Sequence, residues 1–410
     1  MNSNEEFSER IIASGIRRSN DGKKTGLNRN DLIIGGSGAG KTTGYIAPNI
    51  YNPSGSFVVS DTKGKLYSKY CRSLWAKGYD VLLIDLVNTS KSCCYNPLSY
   101  IRRYEDGSIR ESDIKKLATI LVPALDSYEP FWEKAATRYV AMLIGYVVES
   151  LPKKQQNMNS VVQMHQAIQS GRGINMLEDW TDENPHSYAA RKYDMLKGTR
   201  NADKTFSCIL EFANEALDPF DCADYTKFFA SEESIDIHRF GKQKTALFIN
   251  SSDHDRSYHI LSSVICYQIM QTLIDDADDL ESGELPVPVN IFLDDFAAAA
   301  RIPDFELLIS IIRSRNISVS IMLQSISQLT NMYGGESSTT IINNCDTILY
   351  LGGGHDLETA RFIANHSNQP EHSVLTLPRD KAILITSGEE ARRVTKIKAT
   401  DEITGFTALP

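Results

Sequence analysis

The 410-residue sequence carries no C-x-x-C pair among its seven cysteines (71, 93, 94, 208, 222, 266 and 345). An odd set without that pairing speaks against a secreted disulfide framework and against a zinc ribbon, and suits reduced cytosolic thiols. No apolar run approaches the roughly 18 residues that cross a bilayer. The opening stretch MNSNEEFSERIIASGIRRSN also lacks the apolar segment of a signal peptide. The expectation is a soluble, cytoplasmic chain. Positive charge is not in excess either: 43 Lys and Arg stand against 52 Asp and Glu, for a net charge of −9. A chain-wide basic field is thereby excluded, and any grip on a polyanion has to come from a local patch or from assembly. Internal repeats and low-complexity tracts are absent too. What is present, 41% hydrophobic and 23% charged residues, is the composition of a globular protein, at a length that suits two or three domains.

The first third alternates short apolar strands with helical stretches. Asp31–Ile34 runs into a glycine loop, Ser56–Ser60 ends at Asp61, and Val81–Ile84 ends at Asp85. Continuous apolar runs with polar residues at their carboxyl ends are the pattern of buried parallel strands. From about Ile101 to Ser234 strand-like runs stop, and the spacing predicts helices over Ser112–Leu125, Pro130–Glu149, Val161–Ser170 and Ser187–Leu217. Strands then return at Thr245–Ile249, Val289–Leu293, Ile317–Leu323, Thr347–Leu351 and Ala382–Ile385, between helices such as His259–Asp275 and Asp304–Arg315. This order predicts an α/β fold with a central, mainly parallel sheet, interrupted by an all-α insertion. The expected boundaries are 1–100 for the first sheet segment, 101–235 for the insertion and 236–410 for the second segment. The acidic stretch Asp275–Glu281 before Gly283 reads as a solvated loop.

Gly35-Gly36-Ser37-Gly38-Ala39-Gly40-Lys41-Thr42 meets G-x-x-x-x-G-K-[ST] at every fixed position, after a strand and before a helix-compatible stretch containing Thr43. Glycines let backbone N–H groups wrap phosphates, and the following helix N-terminus favours negative charge. Lys41 is expected on the β/γ-phosphates and the Thr42 hydroxyl on Mg²⁺. The strand Val289–Leu293 ends in Asp294-Asp295; Asp294 suits the Walker-B role on Mg²⁺. Asp295 suits a residue that orients or deprotonates the attacking water, one methylene shorter than the glutamate of a fast ATPase. Gln324, at the end of Ile317–Leu323, can report on a γ-phosphate. Arg313 and Arg315 precede that strand; each suits either an arginine finger supplied to a neighbouring subunit or a helix C-terminal cap. In all, 253 residues separate Lys41 from Asp294, room for an inserted helical domain and too far for a small P-loop kinase.

With these motifs stand Ala47-Pro-Asn49, Ser60-Asp-Thr-Lys-Gly-Lys-Leu-Tyr67, Tyr95-Asn-Pro-Leu98, Pro130-Phe-Trp-Glu-Lys-Ala135, Leu293-Asp-Asp-Phe296 and Leu323-Gln-Ser-Ile-Ser-Gln-Leu329. Tyr333-Gly334 and Asn343-Asn344 follow. In this order and spacing the chain resembles the type IV coupling proteins of conjugation and type IV secretion, the TraG/TraD-like family related to FtsK/HerA-type DNA pumps, from about Asn28 to about Ser387. The resemblance implies a RecA-like P-loop motor domain with an all-α insertion, ATP and Mg²⁺ as ligands, and a homo-hexameric ring. It implies that the chain recruits DNA, single-stranded and bound to a relaxase, and delivers it to the channel components of a type IV secretion system at the cytosolic face of the membrane. Family roles fall on Lys41 and Thr42, on Asp294, on Gln324 as sensor, and on Arg313, which stands 19 residues past Asp294, as the finger acting in trans. Two positions depart from the family pattern: Asp295 replaces a usual Glu, and Thr62 a usual Pro. Relatives usually carry membrane helices ahead of the motor, so either a shortened form or a naturally soluble member is expected.

Basic clusters at Lys63/Lys65/Lys69, Arg102-Arg103, Lys153-Lys154 and Arg191-Lys192 with Lys197, Arg200 and Lys204 read first as solvated charged faces, and Trp132 and Trp180 as core or domain-interface residues. Two other functions share the motifs: a nucleotide-gated docking receptor that barely hydrolyses ATP, and a DNA translocase for another cargo.

Overall fold

The computed structural model describes residues 9–122, 131–200, 203–230, 234–251, 257–296 and 301–398. Eleven strands lie within them. β1 (Glu9–Ala13) and β2 (Ile16–Ser19) form a hairpin. β3 (Asp31–Ile34), β4 (Ser56–Asp61), β5 (Asp80–Asp85), β6 (Thr245–Asn250), β7 (Val289–Leu293), β8 (Ile317–Leu323), β9 (Thr347–Tyr350), β10 (Lys381–Thr386) and β11 (Arg392–Thr395) form one sheet in the order β11-β10-β9-β3-β8-β7-β4-β6-β5. The seven strands from β9 to β5 pair in parallel, while β10 is antiparallel to both β9 and β11.

Except for the half-buried edge strand β5, the parallel strands are buried on both faces, as their unbroken apolar runs require. On one face Ile33, Phe57, Val59, Phe248, Phe292 and Met322 pack with Tyr45, Ile46 and Ile50 of the segment after the P-loop and with Leu66, Tyr70 and Leu74 of the helix Leu66–Ala76. Full burial of each such side chain contributes about 1.5–3 kcal/mol. Because all these strands run one way, their carboxyl ends form a single polar edge: Gly35 after β3, Gln324 after β8, Asp294 after β7, and Asp61, Asn250 and Asp85 ending β4, β6 and β5.

Two compact units are distinguished. The sheet belongs to one, made of the chain up to Val87, Ile237–His254 and the part from Ile269 on; the other comprises Asn88–Asp236 and Asp255–Gln268. The second is helical: Glu111–Leu121, Phe131–Ser150, Met158–Gln169, Gly173–Glu183, Tyr188–Arg200 and Asp203–Leu217. Phe131–Ser150 is its apolar centre, with Tyr139, Met142, Leu143 and Tyr146 buried. Trp180 is half-buried with its ring edge-on to Tyr146 at 5.2 Å, and Trp132 is half-buried against Phe131.

Several sequence expectations differ from this arrangement. Ser187–Leu217 is two helices, the first ending just after the weak helix formers Gly198 and Thr199. Gly173–Glu183 is a helix not foreseen, because only Gly173, Leu177 and Thr181 are buried along it. The helix expected over Ser112–Leu125 ends at Leu121, and 123–125 lie outside the described residues. β1, β2 and β11 escaped notice, since Ile16–Ser19 and Arg392–Thr395 are mostly polar and owe their strand form to pairing. The acidic stretch is not all loop: the helix Ser257–Asp278 continues through Asp275–Asp278, where Asp276 accepts from His238 (2.7 Å) and Asp278 pairs with Arg315 (2.8 Å).

Candidate nucleotide site

The P-loop leaves β3 and is fastened from two sides. The Gly35 N–H donates to the Leu323 carbonyl on β8 (3.0 Å) and the Gly36 N–H to the Gly352 carbonyl beyond β9 (3.0 Å). A β-carbon on Gly36 would sit 2.1 Å from the Gly353 carbonyl oxygen, so only glycine fits there. Gly38 and Gly40 have φ of +73° and +98°, the left-handed backbone that turns successive N–H groups toward one point. Ser37, Gly38 and Thr43 are exposed, while Gly35 and Gly36 are buried and Ala39 and Gly40 half-buried. The segment after the loop opens with a π-helical turn, Thr42–Ile46, before the α-helix Ala47–Tyr51. Asn49 in that helix holds β1, accepting from the Ile11 N–H (2.9 Å) and donating to the Ile11 carbonyl (2.8 Å).

Lys41 is buried, its Nζ donating to the Gly35 carbonyl at 2.8 Å and lying 3.8 Å from Asp295 Oδ1. The Thr42 hydroxyl donates to Asp294 Oδ2 at 2.7 Å. Asp294 is only 8% exposed. Burial pushes its carboxyl above the ordinary value; the Thr42 bond opposes this and the neighbouring Asp295 charge adds to it. Ser60, next to last in the adjacent β4, accepts the Asp294 N–H at 2.8 Å and so fixes the backbone that aims this carboxylate. Asp295 sits at φ +47°, and Gln324 Nε2 lies 3.5 Å from its Oδ1. The structure therefore brings together Lys41, Thr42, Asp294, Asp295 and Gln324.

Arg313 is not among them. It lies in the 3₁₀ turn Ile312–Arg315 ahead of β8, donating to the Gly26 carbonyl (2.8 Å), at the amino edge of the sheet. β8 alone, seven residues long, puts about 23 Å between that edge and Gln324, so Arg313 cannot reach the P-loop of its own chain. Arg315 is engaged with Asp278.

This arrangement fits a magnesium nucleotide. A hydroxyl and a buried carboxylate converge beside the loop, and Mg²⁺ takes few protein ligands, filling its shell with water and phosphate oxygens. Among the described residues no three His, Cys, Asp or Glu side chains cluster to hold a metal by themselves. A divalent cation next to Asp294 would offset the penalty of burying its charge.

Three contributors have no role assigned from the sequence. Ser60 opens the motif Ser60–Tyr67, but nothing local marks it as the partner of the Asp294 N–H. Gly352-Gly353-Gly354 after β9 is a visible signal, a glycine run where another backbone approaches closely. Lys396, past β11, donates from Nζ to the Ala39 carbonyl at 3.2 Å, and burial lowers its pKa; nothing in the sequence marks it. Asp61 is structural as placed: its carboxylate, raised by burial, accepts from the Leu66 and Lys63 N–H groups.

Residues 5–367 match the family model described as type IV secretory system conjugative DNA transfer. The chain is 24% identical over 332 residues to the conjugal transfer protein TraG of Escherichia coli, covering 75% of this chain and 50% of that one. It is 21% identical over 338 residues to the protein VirD4 of Rhizobium radiobacter, covering 81% and 47%. The chain thus spans about half the length of these relatives. Among solved structures it is similar to the plasmid coupling protein TrwB, determined with ADP and Mg²⁺ (TM-score 0.71) and with the non-hydrolysable ATP analogue ADPNP (TM-score 0.69). Identity is 14% in each case, over 94% of this chain and 88% of that one. That likeness extends over both units and identifies the fold as the coupling-protein one, a P-loop α/β domain with a helical insertion. Among the described residues no helix is long and apolar enough to cross a membrane.

Proposed function

The chain belongs to the conjugative DNA transfer family of type IV secretory systems, and on that premise we propose that it is an ATP-driven coupling ATPase that passes relaxase-bound DNA to a secretion channel. The observation that carries the reading is the convergence of Lys41, Thr42, Asp294, Asp295 and Gln324 at one end of the sheet. TrwB, a solved protein of similar fold, has been determined in complex with ADP and Mg²⁺.

Bound ATP with Mg²⁺ supplies the anhydride bond and neutralises charge on the transferring phosphoryl group. The chain's own residues do the rest. Backbone N–H groups of Ser37, Gly38 and Gly40–Thr42 cradle the phosphates, Lys41 leaves the Gly35 carbonyl for the β/γ-phosphate oxygens, and Thr42 and Asp294 hold the metal's side of the site. Asp295 orients the attacking water and accepts its proton. Gln324, in contact with Asp295, registers loss of the γ-phosphate at the end of β8. Arg313 completes the site of the next protomer in a homo-hexamer, since its own is out of reach. Positioning and charge stabilisation carry most of such a rate. The helical unit receives the relaxase-bound cargo, and the assembly works at the cytosolic face of the membrane.

A second reading, a nucleotide-gated receptor with little turnover, is favoured by the short Asp295 side chain. The test is turnover against protein concentration, with and without single-stranded DNA, for wild type, Lys41→Ala and Arg313→Ala. Turnover per protomer that rises with concentration and DNA and is lost in both variants supports the motor. Tight nucleotide binding with flat, minimal turnover supports the receptor, and Asp295→Glu then restores hydrolysis if side-chain length is the limit.

A further inference from the structure

Between Asp61 and Asp80 the chain carries five cations, Lys63, Lys65, Lys69, Arg72 and Lys77, and no Asp or Glu. In a protein of net charge −9 this is a marked segregation of charge. Lys69 and Arg72 lie on the helix Leu66–Ala76 and Lys65 at its N-cap; Leu66, Tyr70, Cys71 and Leu74 of that helix are buried. Three of these pack with Tyr45 and Phe57 in the core of the sheet unit. That anchoring sets the helix's rotation and fixes the opposite face outward. Lys65, Ser68, Lys69, Arg72, Trp75 and Ala76 recur there at steps of three and four, all exposed. Trp75 is 52% exposed, whereas Trp132 and Trp180 are half-buried.

One exposed aromatic is ordinary on a protein surface. An indole in register with three cations on a face without acids is the combination that a single strand needs: charge for phosphates and a flat ring for an unpaired base. We propose that this outward face contacts single-stranded DNA, with Lys65, Lys69 and Arg72 on successive phosphates and Trp75 stacked on a base, over about 15 Å of helix. The proposal rests on the DNA-transfer reading above. An anionic membrane fits less well, because surface-bound helices bury a broad apolar face in lipid. Here the apolar face is already spent on the sheet, and Trp75 is flanked by Ser68, Arg72 and Ala76. Lys77 is left out, its ammonium being bound to the Tyr51 carbonyl and Asn52.

The test is fluorescence anisotropy of labelled oligo(dT) with the full chain, across a salt series. Trp75→Ala is expected to weaken binding about 5- to 150-fold, the range for losing one stacked base, while Trp75→Phe retains most of the affinity. The triple variant Lys65→Ala, Lys69→Ala and Arg72→Ala is expected to lower the slope of log K against log salt by about 2, three phosphates at roughly 0.7 each. Both variants should bind ADP–Mg²⁺ like wild type, which shows that they are folded. Wild-type oligonucleotide affinity and salt slope in Trp75→Ala and the triple variant would sink the proposal. So would loss of binding to phosphatidylserine vesicles in those variants with oligo(dT) binding intact. A wild-type chain that turns over ATP but binds no oligo(dT) also overturns it without touching the motor reading, whereas a chain that binds no nucleotide overturns the motor reading first.

Discussion

Gly36→Ala isolates the fastening of the P-loop. The Gly36 backbone is not in the left-handed region, so alanine is conformationally acceptable there. The new methyl, however, would lie 2.1 Å from the Gly353 oxygen, 2.6 Å from its carbonyl carbon and 3.1 Å from the Gly354 nitrogen. Carbon–oxygen contacts settle at about 3.3 Å or beyond, so one backbone must retreat by roughly 1 Å. Overpacking of this kind costs about 1–3 kcal/mol. At about 2–4 °C per kcal/mol for a unit of this size, the melting temperature should fall by about 2–12 °C. The retreat also separates Gly36 from the Gly352 carbonyl and misaligns the phosphate cradle; displacements near 1 Å lower turnover on the order of 100-fold. Two companions separate causes. Gly354→Ala meets empty space at an ordinary φ and should be neutral, while Gly38→Ala meets empty space at φ +73° and should cost only the backbone term of about 1–2 kcal/mol. Melting curves with and without ADP–Mg²⁺, together with titration of a fluorescent nucleotide, read all three. A Gly36→Ala protein that melts and binds nucleotide like wild type would refute the seating of the Gly352–Gly354 turn on the P-loop.

Three further outcomes follow from the same structure. Arg10, 5% exposed, pairs through two nitrogens with Asp31, 1% exposed, at 2.7 and 2.9 Å; Arg10→Met should lower stability by about 3–5 kcal/mol by leaving the buried Asp31 charge without its cation, the Tyr45 hydroxyl remaining on it, and Arg10→Met with Asp31→Leu should regain much of it in urea unfolding, Tyr45 keeping Ser320 as partner. His165 is buried between the Tyr139 hydroxyl (2.9 Å) and Asn214 (2.8 Å), and burial lowers its pKa. Its folded value lies below its unfolded one, so its contribution is complete above about pH 6.5 and is lost as pH falls through the folded value. Urea midpoints should drop more between pH 7.5 and 5.5 for wild type than for His165→Gln. Asp294 has the opposite sign, its folded pKa being raised, so its charge weighs against the ligand-free fold at neutral pH. Asp294→Asn should melt no lower than wild type without ligand, yet lose the extra stabilisation that Mg²⁺ gives to ADP over ADP with EDTA.

Much of the site was legible because its residues obey local rules. The P-loop is a contiguous pattern after a strand, and Asp294 and Gln324 end apolar runs that could only be buried strands. Once those strands are parallel and neighbours, their ends must meet. What stayed hidden depends on strand order. Gly352 and Gly353 matter because β9 lies beside β3, 316 positions apart between Asp31 and Thr347, and Ser60 matters because β4 lies beside β7. The β1–β2 hairpin is hidden for the same reason: its holds include the Arg10–Asp31 pair, Arg18 on Glu389 and Thr386, and the Asn49 clamp, none of them visible as periodicity.

The short side chain at Asp295 has a backbone counterpart. At φ +47° residue 295 occupies the region in which Asp and Asn are enriched and most other side chains are strained. Its N–H donates to Asp294 Oδ1 at 3.1 Å, and its own carboxylate lies within reach of both Lys41 and Gln324. A short side chain thus gains from the turn what it lacks in length: the backbone swings the carboxylate toward the P-loop lysine. If this geometry serves hydrolysis, Asp295→Glu lengthens the side chain but adds strain at the turn, and turnover should fall. If Asp295 instead holds a slow, receptor-like state, the same change should raise turnover while lowering the melting temperature. Rate and stability measured on one variant therefore decide between the motor and the receptor.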